Sequence, residues 1–449
     1  MRLTCIALLI FAFRLPASAQ ETWKVGIART KITPTESVWM AGYGSRTKPS
    51  EGTLHDLWGK ALAFEDAQGK KALFVTTDIL GFSKEVSDRV RQHLQNKHGL
   101  SKAQIILSSS HTHSGPVLSN ALVDIYPMDD AQRAQVARYT AYFEQEIIRL
   151  CEEALKSMKP AKLFSGNGVL RFAVNRRNNE ESQIADLFEL KGPSDHAVPV
   201  IKVMNQSNEV TAILFGYTCH TTVLSSYLFS GDYAGFAQLE LEKLYPKATA
   251  LFFQGSAGDQ NPLPRRTVAI ARQYGKELAA AVESVIEEPM NALSSRLSTT
   301  YSEIDLAFNP APTREQLEKK VAATSGYEKR WAERMLDKVK KNEPLMKSYP
   351  YPVQVWMIGE QPVFSLGGEV TVEYTVKIKE MFGKHVFVAA YTNDVMGYIP
   401  SLRVWKEGRY EGETSQMVYG LPAKWHPSIE SSIMKEVADL SKKAGVPTR

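Results

Sequence analysis

Cysteine is scarce in this sequence, and its scarcity excludes two kinds of site. The chain of 449 residues contains three cysteines, and Cys5 lies in an N-terminal segment that we expect to be removed. Cys151 and Cys219 are too few for a structural zinc site of the thiolate kind or for a disulfide framework. Cys219 falls in a segment that resembles a buried strand, so we expect no disulfide between these two residues.

Long apolar runs are absent beyond the N-terminus. The first residues, MRLTCIALLIFAFRLPASAQ, combine a basic residue, an apolar stretch interrupted by Arg14, and a small-residue ending. This pattern is typical of a secretory signal peptide and predicts cleavage after Ala19. A lipoprotein reading of Cys5 is disfavoured because too little apolar sequence precedes it. No later stretch has the length of a membrane span. We therefore expect an exported protein, secreted or periplasmic, with a signal peptide at 1–19 and one domain at 20–449.

An excess of charge of one sign is also absent. The sequence has 54 basic and 49 acidic residues, and cleavage would remove Arg2 and Arg14, leaving 52 against 49. A net charge of +3 is too weak to indicate a nucleic-acid-binding protein. With 43% hydrophobic and 23% charged residues, the composition is that of an ordinary globular protein.

Short apolar segments alternate with helical patterns along the chain. Strands are predicted at Ala72–Leu80, before His111, at Thr211–His220, from Ala248, within Val353–Glu369 and at His385–Asp394, and helices at Lys84–His98, Met128–Met158 and Val268–Glu287. This spacing favours crossover units. The predicted fold is a single α/β domain with mixed sheets flanked by helices. The lysine-rich segment 313–347 is predicted to be a helical insertion that lies over the sheet with a solvated face.

Two of the nine histidines lie one residue apart at the end of an apolar run, IILSSSHTHSGP. In an extended chain, residues i and i+2 point to the same face, so His111 and His113 would project together. Such a pair suits a metal site or an acid/base pair. The alternative is a polar loop whose histidines cap backbone groups.

Polar side chains follow four of the predicted strands: His111 with His113, His220, Asp259 with Asn261, and Glu369. Strand ends in α/β sheets commonly meet where ligands bind. Two or three histidines with a glutamate suit a catalytic zinc, which keeps one position open for water. The other six histidines, His55, His93, His98, His196, His385 and His426, are expected at the surface or behind the site.

Several motifs together resemble those of the neutral/alkaline non-lysosomal ceramidase family. They are VGIARTKITP, WMAGYGSRTKPSEGTLHDLWGKAL, SSSHTHSGP, CHTTVL with SGDYAGFA, QGSAGDQNP, GGE and YEGETS, in the family's order from Lys24 to Ser415. The resemblance implies a neutral-ceramidase-like fold. It also implies a zinc amidohydrolase that splits the N-acyl bond of ceramide into a sphingoid base and a fatty acid. A lipid substrate and peripheral contact with a membrane would follow.

The resemblance also implies roles for individual residues. The implied zinc ligands are His111, His220, Glu369 and Tyr398, whose phenol needs a nearby cation to ionise easily. His113 would lie beside the metal, and Tyr410 would bind the carbonyl oxygen of the substrate. Arg176 is the expected active-site arginine, with Arg177 as the alternative. Asp259 and Asn261 are expected to contact the substrate. Without the resemblance, Tyr398 and Tyr410 would pass for ordinary core or rim tyrosines, and Glu369 for a loop cap.

The sequence departs from the family pattern in two places. Asn261 stands in GDQNP where the family usually has a serine, so a covalent serine route at that position is closed. The chain ends soon after YEGETS, and we expect the catalytic domain without the family's C-terminal sandwich domain. The true acyl substrate therefore stays open. The alternatives are the same zinc chemistry on an N-acyl sugar, peptide or ester, and a lipid- or glycan-binding protein without turnover.

Overall fold

The computed structural model describes residues 22–187 and 189–448. The predicted signal peptide and Cys5 lie outside the described residues. Within them, no helix combines the length and the apolar character that crossing a membrane requires.

The described residues form two main sheets with helices on their outer faces. The strands are β1 Trp23–Lys31, β2 Gly52–Thr53, β3 Trp58–Glu65, β4 Lys71–Thr77, β5 Ile105–Ser109, β6 Lys159–Val169, β7 Ala173–Asn175, β8 Ala197–Asn205, β9 Val210–Tyr217, β10 Leu228–Phe229, β11 Thr249–Gln254, β12 Gln260–Pro262, β13 Asn291–Ala292, β14 Leu297–Ala307, β15 Ser348–Ile358, β16 Gln361–Leu366, β17 Glu369–Val370, β18 Phe387–Ala389 and β19 Tyr398–Ile399. The α-helices are α1 Lys84–His98, α2 Asp130–Lys156, α3 Asp232–Leu244, α4 Val268–Glu287, α5 Arg314–Ala323, α6 Gly326–Lys340, α7 Glu373–Phe382, α8 Leu402–Glu407, α9 Ser415–Val418 and α10 Ile429–Ala444. Short 3-10 turns at Lys102–Gln104 and Glu181–Gln183 and a π-helical turn at Tyr410–Thr414 complete the regular structure.

The first sheet has the order β11-β9-β8-β6-β1-β3-β4-β5, with β13 beside β6. It is mixed: β4 with β5 and β9 with β11 are parallel pairs, and its other pairs are antiparallel. The second sheet has the order β14-β15-β16-β18 and is also mixed. The prediction of mixed sheets flanked by helices is confirmed.

The two sheets pack face to face. Because alternate residues of a strand point to opposite faces, a central strand has some side chains between the sheets and others against the helices. In β4, Phe74 packs against Trp356 of β15, with ring centroids 6.2 Å apart. Leu73 and Val75 of the same strand face α1 and α2 in a separate cluster. Helices α7 and α10 cover the far face of the second sheet. The resulting four-layer arrangement buries the central strands on both faces, which explains why they appear in the sequence as continuous apolar runs.

Helices α1 and α4 have the bounds that the sequence predicted, and α2 begins two residues later than predicted and ends two earlier. Strand β4 ends at Thr77, three residues before the predicted end. The chain turns there because the Asp78 carboxylate accepts a hydrogen bond from the Trp58 backbone N–H at 3.0 Å. Cys151 and Cys219 are buried and unpaired in different core clusters.

Segment 313–347 contains α5 and α6, in line with its helical pattern. The side chains of α6 contact two loops: Trp331 Nε1 donates to the Leu421 carbonyl at 2.9 Å, and Arg334 pairs with Asp124 at 2.5 Å. Arg330 Nε donates to the Asp124 carbonyl at 2.8 Å. The segment thus contacts loops beside the polar site described below, and its position over the sheet stays a prediction.

Candidate metal centre

His111 and His113 meet beyond the end of β5. Their Nε2 atoms are 3.2 Å apart. The sequence predicted this proximity from an extended backbone, but His111 has a φ of 56° and lies in a left-handed turn. His111 Nδ1 lies 2.7 Å from the Leu80 carbonyl, which can only accept a hydrogen bond, so Nδ1 carries the proton. The unprotonated Nε2 is therefore left free to bind a metal.

His220 reaches the same point from the loop after β9. Its Nδ1 donates to the carbonyls of Ala257 and Gln260, at 2.5 and 3.2 Å, and its Nε2 faces the cluster. Burial, followed by the charge of Arg176, lowers the pKa of His220 to about 4, so the ring is neutral as a ligand must be. The nitrogen atoms that His111, His113 and His220 offer lie within 4.8 Å of one another.

Glu369 supplies a carboxylate oxygen to this cluster. Its Oε2 lies 3.1 Å from His111 Nε2 and 3.0 Å from His220 Nε2. Zinc with bonds of about 2.0–2.2 Å places tetrahedral ligand atoms roughly 3.3–3.6 Å apart. The observed separations of 3.0 and 3.1 Å are a few tenths of an ångström shorter, and the nitrogen and carboxylate donors are those that a zinc-like divalent cation prefers.

Two tyrosines that the sequence analysis did not single out also hold Glu369. The Tyr419 hydroxyl donates to Oε1, and the Tyr391 hydroxyl lies 3.4 Å from Oε2. The Tyr391 ring also packs against His111, with centroids 4.3 Å apart. Neither residue belongs to a motif of regular spacing, so only the fold reveals them. Because Tyr419 occupies Oε1, Oε2 is the oxygen left to face the histidines.

Tyr398 lies beside Glu369 because β17 and β19 pair in parallel, with these two residues in register. Its hydroxyl accepts a hydrogen bond from Arg176 Nη2 at 3.0 Å, and its ring stacks beside that of His220 at 6.5 Å between centroids. Burial raises the pKa of the Tyr398 phenol well above its usual value, and the Arg176 guanidinium opposes that rise. The cation that the phenol needs is therefore in place.

The two neighbouring arginines point to different partners. Arg176 contacts Tyr398, Glu411 at 2.8 Å and Asn261 at 3.3 Å. Arg177 pairs with Glu407 at 2.9 Å and with Glu411 at 2.5 Å. Arg176 therefore faces the candidate metal centre, whereas Arg177 holds the loop that carries Tyr410.

Tyr410 begins the π-helical turn and lies at the edge of the site. Its ring packs edge-on against Tyr398 at 5.2 Å, and the residue is 41% exposed. Desolvation and the nearby Glu369 carboxylate raise the pKa of its phenol, which favours a protonated hydroxyl that can donate a hydrogen bond. Among the histidines of the cluster, His113 is half-buried while the other two are fully buried, so the site opens on the side of His113.

Asp259 and Asn261 lie on the same loop but have different surroundings. Asp259 is fully buried, its Oδ2 accepts from Asn175 Nδ2, and its Oδ1 accepts from the Val372 N–H, each at 2.9 Å. These contacts favour a scaffold role for Asp259. Asn261 contacts Arg176. The role of Asn261 in binding substrate stays a prediction.

Backbone features hold the histidine loops in place. Gly42 has a φ of +103°, and a Cβ there would lie 2.4 Å from the His113 ring. The Asp232 carboxylate accepts from the N–H groups of Val223 and Leu224, at 3.2 and 2.8 Å, and so anchors the loop that follows His220. Gly42 therefore leaves room for the His113 ring, and Asp232 holds the loop that follows His220.

The chain is similar to one family of proteins in sequence. The family model for neutral/alkaline non-lysosomal ceramidase, N-terminal, matches residues 23–274. The neutral ceramidase of Pseudomonas aeruginosa is 26% identical over 274 residues, which cover 58% of this chain and 40% of the relative. Neutral ceramidase B of Dictyostelium discoideum is 26% identical over 286 residues, covering 57% and 39%. The matches thus span about two fifths of the length of these curated relatives.

Solved structures show the same fold. The crystal structure of neutral ceramidase from Pseudomonas aeruginosa aligns with a TM-score of 0.73 and 19% identity, covering 96% of this chain and 76% of that one. A structure described as ceramidase complexed with C2 aligns with the same TM-score and 18% identity.

Proposed function

Because the chain belongs to the neutral/alkaline non-lysosomal ceramidase family, we propose that it is a zinc-dependent amidase that hydrolyses the N-acyl bond of ceramide or a related lipid. The observation that carries this proposal is the meeting of three histidine nitrogens and the Glu369 carboxylate at one buried point with an open side. A site for binding alone has no need of such a donor set beside a protonated phenol.

Zinc would be held by His111, His220 and Glu369, with Tyr398 as the fourth candidate ligand. When bound, zinc supplies a Lewis acid that activates water for attack on a carbonyl carbon. Arg176 supports this arrangement from behind, since its guanidinium donates to the Tyr398 hydroxyl. Tyr419 holds the carboxylate in one orientation through Oε1.

The residues on the open side handle the proton and the carbonyl oxygen. His113 lies on this open side, with its Nε2 3.2 Å from that of His111, and its ring would accept a proton from the attacking water. The Tyr410 hydroxyl donates to the carbonyl oxygen as it becomes negative. The C–N bond then breaks, the amide nitrogen takes up the proton, and a carboxylic acid and an amine leave.

Hydrolysis of a panel of N-acyl compounds by the zinc-loaded protein tests the proposal. Ceramides, N-acyl sugars, N-acyl peptides and simple esters should be compared, with the His111→Ala variant as the inactive control. We expect zinc-dependent release of fatty acid from ceramide. Turnover of N-acyl sugars, N-acyl peptides or esters without turnover of ceramide would show that the substrate is not ceramide. No turnover of any compound with zinc bound would favour a lipid- or glycan-binding role.

We also propose that the protein is secreted or periplasmic and that its domain spans residues 20–449. The support is the N-terminal pattern that ends at Ala19. A lipid substrate would bring the protein into peripheral contact with a membrane. N-terminal sequencing of the exported protein should begin at Gln20, and an intact Met1 would contradict export by this route.

A further inference from the structure

The tyrosine that holds the Glu369 carboxylate lies at the start of a short loop. Tyr419 donates its hydroxyl hydrogen to Glu369 Oε1, and the chain continues through Gly420, which has a φ of +73°, to Leu421. A shift of this loop would move the Tyr419 hydroxyl relative to the carboxylate. The contacts of loop 419–421 therefore bear on the orientation of a candidate metal ligand.

Two side chains of α6 bind consecutive carbonyls of this loop. Arg334 Nη2 donates to the Gly420 carbonyl at 3.0 Å, and Trp331 Nε1 donates to the Leu421 carbonyl at 2.9 Å. The two side chains are three residues apart and therefore lie on one face of the helix. Because Trp331 and Leu421 are almost fully buried, water cannot readily replace the bond between them.

The guanidinium of Arg334 is itself fixed by a second partner. The Asp124 carboxylate, which is almost fully buried, accepts from Arg334 Nε at 2.9 Å and from Nη2 at 2.5 Å. A pair of this forked kind restricts both the position and the plane of the guanidinium. At Gly420 a Cβ would lie 2.7 Å from Arg334 Nη2, so glycine permits the close approach.

The loop depends on α6 because its other partners bind only its N–H groups. The Gly420 N–H donates to the Met417 carbonyl at 3.1 Å, and the Leu421 N–H donates to the Gln416 carbonyl at 2.9 Å. Both of these acceptors belong to α9. Helix α9 thus holds the N–H groups of the loop, and α6 holds its carbonyls.

We propose that Arg334 and Trp331 are positioning residues for the metal centre. By fixing loop 419–421, they keep the Tyr419 hydroxyl on Glu369 Oε1, so that Oε2 stays directed at the histidines. The assignment rests on the proposed zinc-dependent function and gives the helical segment 313–347 a part in it. This segment strengthens zinc binding without contacting either the metal or the substrate.

Zinc affinity, measured by competition with a chromophoric chelator, tests the assignment without any need for turnover. Tyr419→Phe is the reference variant and should weaken zinc binding about 10–100-fold, the usual effect of losing a partner of a metal ligand. Arg334→Met and Trp331→Phe should each weaken it at least about threefold, a part of that loss, because the hydroxyl remains but is held less firmly.

Arg330→Met is the matched control, because it removes the same type of side chain from the same helix. Arg330 donates to the carbonyls of Asp124 and Ile125 and to neither carbonyl of the loop that follows Tyr419. This variant should lower the unfolding free energy in urea but leave zinc affinity unchanged. Equal weakening of zinc binding by Arg330→Met and Arg334→Met would show a general effect of loosening α6 and would overturn the assignment.

A double-mutant cycle separates positioning through Tyr419 from an independent structural effect. In the Tyr419→Phe background, Arg334→Met should not weaken zinc binding further, because the contact that it positions is already lost. Additive losses would overturn the assignment. Arg334→Met also leaves the buried Asp124 carboxylate unpaired, so Trp331→Phe, which keeps an aromatic ring, provides a second test in the same background. Equal zinc affinity in wild type and Trp331→Phe would overturn the assignment as well.

Ceramide hydrolysis by the same proteins separates this inference from the proposed function. Turnover by wild type, with equal zinc affinity in wild type and both α6 variants, would overturn the positioning role and leave the amidase. Zinc binding that both variants weaken, without turnover of any N-acyl compound by wild type, would support the positioning role and overturn the amidase. A wild-type protein that binds no zinc would overturn both.

Discussion

Replacing Tyr410 by phenylalanine removes one hydroxyl from the open side of the site and nothing else. The ring keeps its edge-on contact with Tyr398 at 5.2 Å, and the residue is already 41% exposed, so packing and folding should be unchanged. Loss of one oxyanion donor typically lowers kcat by about 10²–10³, or roughly 2.7–4 kcal/mol of transition-state stabilisation. We expect that fall with little change in KM and with full zinc content.

Tyr398→Phe is the matched comparison, because it removes a hydroxyl of the same kind from a buried position. That hydroxyl accepts from Arg176 at 3.0 Å beside Glu369, so its loss should weaken zinc affinity as well as lower kcat. Elemental analysis and steady-state kinetics of both variants separate the two roles. Wild-type kcat in Tyr410→Phe, or loss of zinc from it, would refute the role given to this hydroxyl.

Four further substitutions have outcomes that the structure specifies. His111→Ala and His220→Ala should each lose bound zinc, measured by elemental analysis, and retention of full metal content by either would contradict the ligand set. Gly42→Ala should lower kcat while the protein still folds, because its Cβ would meet the His113 ring at 2.4 Å; unchanged kinetics would show that the ring can shift freely. Burial raises the pKa of Asp394 to about 7, above its unfolded value of about 4, so its stabilisation is complete below about pH 4 and is lost as the pH rises to about 7. The loss is up to about 4 kcal/mol of unfolding free energy. Asp394→Asn should abolish this loss, measured by urea unfolding between about pH 4 and about pH 7. If the unfolding free energy of both proteins changed equally with pH, Asp394 would not be the cause.

The sequence predicted the local parts of the site better than its surroundings. His111 and His113 are close in sequence, so their proximity could be predicted, although a left-handed turn at His111 and not an extended strand brings the rings together. Tyr391 and Tyr419 reach Glu369 only because loops from distant parts of the chain converge, and no spacing in the sequence reports that convergence. The resemblance to a family, not the periodicity, pointed to Tyr398.

The layering of the fold was also beyond the sequence. Apolar runs such as that of β4 indicate burial on both faces, but they do not say whether a helix or a second sheet covers each face. Tertiary packing, which the apolar run does not specify, places Phe74 against Trp356 and Leu73 against α1 and α2. The same limit applies to segment 313–347, whose charged helices indicate a solvated face but not which loops lie beneath the other one.

The candidate ligands come from both sheets, and this division links metal affinity to the cohesion of the two layers. His111 and His220 follow strands of the first sheet, whereas Glu369 follows β16 of the second. An ion bound by all three acts as a cross-link between the layers, and sheet separation in unfolding must release it. Free metal at 100 times its Kd would then add about 2.7 kcal/mol to the unfolding free energy. A fragment limited to residues 23–274 would keep the histidines yet lack the carboxylate, so it would bind the ion weakly and gain little stability from it.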